Sequence, residues 1–162
     1  MKIPAEAFAW TSWSDLVPGQ LVQQGDVWLL LVDIAMRDQR SRPALILTGE
    51  NAGDAIDLAR TETTAFLTIG GACSWRPMLE ALPAAVGVQS EPGALLIGPQ
   101  GPFLRTWYQG ESRYAFDFHG TDVTDRVPAR CPSAVRWSMG LFGPGLSAPA
   151  QLFVAGAVES IA

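Results

Sequence analysis

Phe103-Leu104-Arg105-Thr106-Trp107-Tyr108-Gln109-Gly110-Glu111-Ser112-Arg113-Tyr114-Ala115-Phe116-Asp117-Phe118-His119 is the stretch whose reading decides the fold. Two runs dense in aromatic residues, the composition of half-buried strands, flank a glycine. Gly110-Glu111 suits a two-residue type II′ turn, which takes glycine at its first central position. Such a turn sets Tyr108 opposite Arg113, Trp107 opposite Tyr114, Arg105 opposite Phe116 and Phe103 opposite Phe118. Because side chains alternate along a strand, one face then carries Phe103, Arg105, Trp107, Tyr114, Phe116 and Phe118. The other carries Leu104, Thr106, Tyr108, Arg113, Ala115 and Asp117. An aromatic face of that extent belongs against a core or a neighbouring subunit, since monomers expose only small apolar patches. Arg105 is the misfit on it, either stacked on a ring as a cation or extended at the edge with its head in water. Tyr108 with Arg113 is a second candidate stack.

On both sides of this hairpin the chain is punctuated like a protein of many short strands, with 16 Gly and 12 Pro in 162 residues and no long helical period. Leu21-Val22, a turn over Gln23–Asp26 and a long strand Val27–Met36 form an earlier hairpin. Both parities of the long strand are apolar except at Asp33, which predicts a central strand covered on both faces. The polar stretch Arg37–Arg42 turns the chain back into Ala44–Thr48, with Pro43 suited to the first position of the returning strand. Further strands are predicted at Thr63–Ile69, Ala94–Ile97, Ala134–Met139 and Gln151–Val158. Two short helices are predicted. Asp54–Arg60 has Asp54 as its cap, and Arg76–Leu82 has Pro77 in its first turn and Pro83 as its stop. The expected architecture is mainly β: one domain over residues 1–162, a compact β-barrel or two packed antiparallel sheets with one or two short helices. Residues 1–18 read as an N-terminal arm or edge strand.

Only 17% of the residues are charged, against a typical ~25%. Either the exterior is polar without charge, or other subunits cover part of it. The net charge is −5, Lys2 is the only lysine, and the arginines are dispersed, with Arg37, Arg40 and Arg42 beside a turn. Without a basic stripe to release phosphate counterions, nucleic-acid binding is not expected. No apolar run reaches the ~20 residues of a membrane helix, and the N-terminus lacks the apolar core of a secretory signal. A cytoplasmic location follows as the expectation, or synthesis there before incorporation into an assembly. Cys73 and Cys131 have the option of pairing, but in that compartment they are expected to be free.

His119 is the only histidine, so any histidine-dependent chemistry must use it. Asp117, two residues earlier at a strand end, is placed to orient the ring, and Cys73 or Cys131 would complete a nucleophilic arrangement. Gly71-Ala72-Cys73-Ser74-Trp75 and Arg130-Cys131-Pro132 match no nucleophile motif, so no catalytic assignment is made. One histidine and two distant cysteines do not furnish a closed zinc site. Thr121-Asp122-Val123-Thr124-Asp125 reads as turn-capping rather than calcium-binding, and the glycines of Gly140–Gly145 lack the Lys-Ser/Thr of a phosphate loop. Neither metal nor cofactor is expected.

Trp28 and Trp137 lie in strands and read as core. Trp10 and Trp13 of the arm are the first candidates for a subunit contact, because tryptophan is enriched at interface hot spots; the alternative is that the arm folds back over its own core. Arg105, Tyr108 and Arg113 are the other binding candidates. The preferred reading is a non-catalytic structural or interaction subunit of a homo- or hetero-oligomer, such as a phage particle component. The competing one is a small-molecule-binding β-barrel, or a hydrolase using His119 and Asp117.

Overall fold

The computed structural model describes residues 3–34, 42–58, 65–80, 85–87, 92–108 and 112–156. Its strands are β1 (Phe8–Ser12), β2 (Leu21–Gln24), β3 (Val27–Leu31), β4 (Arg42–Ile46), β5 (Asp54–Leu58), β6 (Ala65–Ile69) and β7 (Ser74–Met78). These are followed by β8 (Ala85–Gly87), β9 (Leu95–Gly98), β10 (Gly101–Tyr108), β11 (Ser112–Asp117), β12 (Cys131–Ala134), β13 (Arg136–Phe142) and β14 (Ala150–Gly156). The larger sheet runs β1-β6-β2-β3-β4-β5-β10-β9-β12-β8 with β11 paired to β10, and the smaller runs β14-β13-β7. The end strands β1 and β8 do not pair, so of the two expected architectures the chain adopts packed sheets and not a closed barrel. Helical structure among the described residues is confined to 3-10 turns at Ala5–Ala7, Trp13–Asp15 and Thr124–Arg126. Among the described residues no helix is long and apolar enough to cross a membrane.

The β2–β3 hairpin turns at Gly25-Asp26, pairing Gln24 with Val27 and Leu21 with Leu30. Both faces of β3 are covered, as its unbroken apolar run requires. Trp28 and Leu30 join a core with Leu45, Leu104 and Phe116 of the large sheet and Trp137, Met139 and Phe153 of the small one. Leu29 and Leu31 join a second cluster with Trp13, Leu16, Leu58 and Phe66. Trp28 stacks on Phe153 with centroids 5.4 Å apart, and Trp137 Nε1 donates to the Gly93 carbonyl at 3.0 Å, tying the small sheet to the large. Burying each such side chain contributes roughly 1.5–3 kcal/mol to stability. β3 ends at Leu31, short of the predicted Met36, because Asp33 leaves the ladder to donate its N–H to Gly120 and bridge Thr121. Residues 35–41 lie outside the described ones. Pro43 is the second residue of β4 and takes part there as an acceptor, its carbonyl bonding the Val32 N–H at 3.0 Å.

Both predicted helices are strands where the structure describes them. Asp54–Leu58 pairs antiparallel with β4, Ala44 facing Ile56, so that Ile56 and Leu58 reach the second cluster; that burial outweighs the local capping signal of Asp54. Ser74–Met78 pairs with β13 at the edge of the small sheet, a position where a strand tolerates Pro77; residues 81 and 82 of the predicted helix lie outside the described ones.

The β10–β11 hairpin forms in a different register. Trp107 faces Arg113, Thr106 faces Tyr114, Arg105 faces Ala115, Leu104 faces Phe116 and Phe103 faces Asp117. Three residues, 109–111, therefore separate the paired ends, and they lie outside the described ones. A shift of one residue moves one strand's side chains to the other face. Tyr114 and Phe116, stacked with centroids 6.0 Å apart, keep a common side, but they share it with Leu104 and Thr106 instead of Phe103 and Trp107. Phe103 and Ala115 pack on the opposite side with Leu96, Val123 and Cys131. The two-residue register would have set Arg105 on the core face, where a charge is costly to bury; the observed one puts Leu104 there.

Candidate functional site

Two backbones that nearly touch build one wall of a cleft. Gly19 and Gly120 both have positive φ, +83° and +78°, and each approaches the other so closely that a Cβ on either would meet backbone atoms. Only glycine fits that combination without strain. The Gly19 N–H donates to the Leu31 carbonyl at 2.8 Å and the Gly120 carbonyl accepts from the Asp33 N–H at 2.7 Å, so the end of β3 and the residues just after it hold both glycines.

Beside this junction lies a cleft of about 500 Å³. The end of β11 contributes Asp117, Phe118 and His119; β6 and the following turn contribute Ile69, Gly70, Gly71 and Cys73. β7 supplies Ser74, Trp75, Arg76 and Pro77, the start of β10 supplies Pro102 and Phe103, and Arg126 comes from the 3-10 turn. Trp75 meets Phe118 edge-on at 6.1 Å, and Phe118 meets Trp137 at 5.9 Å, so the cleft floor rests directly on the inter-sheet core. The Arg76 guanidinium lies 4.0 Å over the Phe142 ring.

The cleft brings together Asp117, His119 and Cys73, but not as a nucleophile with its base. Asp117 Oδ1 accepts the N–H groups of His119 and Thr121, each at 2.9 Å, and so closes its own turn. No hydrogen bond joins its carboxylate to the His119 ring, which is exposed. Cys73 is free and half-buried, its Sγ lying where a Cβ on Gly143 would sit. Cys131 is free and buried in a different cluster; burial pushes its thiol above the ordinary value of 9.0, opposed by the positive charge of Arg105. Asp122 likewise serves its own turn, accepting from the Thr124 N–H at 2.9 Å and from the Thr124 hydroxyl at 2.6 Å. Among the described residues no three His, Cys, Asp or Glu side chains gather as a metal site.

The remaining sequence candidates are scattered. Trp10, in β1, is 71% exposed, whereas Trp13 is buried in the second cluster with its Nε1 donating to Leu58 at 3.3 Å and Arg42 over its ring at 4.7 Å. The arm thus folds back through Trp13 while presenting Trp10. Arg105 is half-buried on the Phe103 face. Arg113 is exposed, its guanidinium 5.3 Å from the Trp107 ring; the Tyr108 side chain, the other stacking candidate, lies outside the described ones. Tyr108 pairs through its backbone with Ser112 and Ala55. Trp75, Arg76 and Arg126 carry no local signal for the cleft, because they reach it from segments far apart in the chain and because Pro77 and Pro83 suit a helix over Arg76–Leu82. Comparison with protein-family models, curated proteins and solved structures finds no match to this chain.

Proposed function

We propose that this chain is a non-catalytic assembly subunit that associates with a second copy of itself through β1. The observation that carries the reading is Trp10: a 71%-exposed indole at the centre of the strand that ends the large sheet. Among the described residues β1 pairs with β6 on one side only, which leaves its outer row of backbone groups open to another strand. Phe8–Ser12 contains no charged residue and no proline, the usual guards of such an edge. Antiparallel pairing of two β1 strands about Trp10 gives a two-fold, self-complementary contact, and tryptophan anchors are the commonest source of interface energy. The engagement of the Asp117 carboxylate in its own turn supports a non-catalytic role.

Sedimentation velocity on the wild type and on Trp10→Glu tests it. The wild type is expected to sediment as a dimer or larger species at high protein concentration. The variant, which sets two carboxylates against each other across the axis, is expected to sediment as a monomer with an unaltered thermal melt. A wild type that remains monomeric throughout, or a variant that associates as well as the wild type, overturns the reading.

A further inference from the structure

The cleft is charged against the grain of the chain. Acidic residues outnumber Lys and Arg by 16 to 11, yet the cleft wall carries Arg76, Arg126 and His119 against a single carboxylate, Asp117. The hydrogen bonds to Asp117 Oδ1 bind that carboxylate into the turn. Among the described residues neither Arg76 nor Arg126 is in an ion pair, whereas Arg136 meets Glu80 at 3.8 Å. Stacking on Phe142 occupies one face of the Arg76 guanidinium and leaves its edge of N–H donors for an acceptor. Trp75, Phe118 and Pro102 supply an apolar wall beside the polar Ser74 and Gln100, and the volume is that of a small-molecule site, which typically runs to ~300–1,000 Å³.

We propose that this cleft binds a small aromatic anion, its ring against Trp75 and Phe118 and its carboxylate or phosphate head on Arg76 and Arg126. An inorganic anion leaves the apolar walls wet, and a neutral aromatic leaves two guanidinium groups without an acceptor; only a ligand with both parts uses both halves of the cleft. The site is independent of the assembly reading.

Calorimetric titration of the full chain with benzoate, phenyl phosphate, inorganic phosphate and benzyl alcohol tests the proposal. At least one of the two aromatic anions is expected to bind saturably at one site, and the tighter of them identifies the head group. Inorganic phosphate and benzyl alcohol are each expected to bind at least about tenfold more weakly, the loss of one of two contributing halves. Arg126→Gln is the deciding variant, since Arg126 is exposed at the end of a 3-10 turn that buries no residue; it is expected to weaken binding about tenfold with an unchanged melt. Arg76→Gln is expected to act in the same direction, whatever it does to stability through Phe142. The proposal is overturned if neither aromatic anion saturates, if benzyl alcohol or inorganic phosphate binds as tightly as the aromatic anions, or if folded Arg126→Gln retains wild-type affinity.

Discussion

Gly120 shows how one residue without a side chain sets both the fold and the cleft. Its φ of +78° disfavours any L side chain, and an added Cβ would lie 2.5 Å from both Gly19 N and Leu31 O. Gly120→Ala is therefore expected to destabilise the protein by about 1–3 kcal/mol, read as a lowered denaturant midpoint. Gly71→Ala, at a cleft glycine with open space around its Cα, is expected to change it by no more than about 0.5 kcal/mol; equal midpoints for the two would remove the Gly19–Gly120 contact as a structural determinant. Cys131 provides a pH-dependent counterpart. Its thiol is raised by burial, so as pH climbs past the ordinary value of 9.0 the unfolded chain releases this proton before the folded one does. The stabilisation is complete below that pH and declines as pH rises through the raised folded value. Unfolding free energies measured across the alkaline range are expected to fall less steeply for Cys131→Ala than for the wild type, and parallel slopes would contradict the assignment. The Asp117–His119 pair was visible in the sequence as two neighbours on one strand end. What spacing did not reveal is that a carboxylate two residues before an N–H bonds that N–H more readily than a ring.

Strands proved more legible than the connections between them. The apolar run of β3 announced burial on both faces, and the aromatic density of β10 and β11 announced a hairpin, because both signals come from local composition. The register did not follow, since Gly110 is compatible with loops of two residues and of three, and the choice falls to packing: Leu104 on the core, Arg105 away from it. The same competition turned Asp54–Leu58 and Ser74–Met78 into strands, their caps and prolines notwithstanding. The observed register makes Trp107 and Arg113 direct neighbours across the ladder, with the guanidinium 5.3 Å from the ring centre. A double-mutant cycle with Trp107→Ala and Arg113→Ala is expected to return a coupling of about 0.5–1 kcal/mol in thermal or denaturant melts. Strictly additive losses would mean that the two side chains do not meet, and would favour the alternative register.

The cleft was the least legible feature, because Trp75, Arg76 and Arg126 meet Asp117 only after the small sheet has docked on the large one. That docking runs through Trp137. The indole is fully buried, faces Phe153 and Phe118 edge-on, and donates to Gly93 in the segment before β9, so it is bonded to one sheet while belonging to the other. If the two sheets share one core in this way, they unfold together. Trp137→Phe keeps most of the apolar volume but leaves the Gly93 carbonyl without its donor, for an expected loss of about 1–3 kcal/mol; Trp137→Ala also opens a cavity, for about 3–5 kcal/mol. In both variants amide exchange in β3 and β4 of the large sheet is expected to accelerate by the same factor as in β13 and β14 of the small one, because the slowest amides of a cooperative unit exchange through one global opening. Acceleration confined to β13 and β14 would instead show that the small sheet is a separable layer, with the cleft lying between two units that open independently.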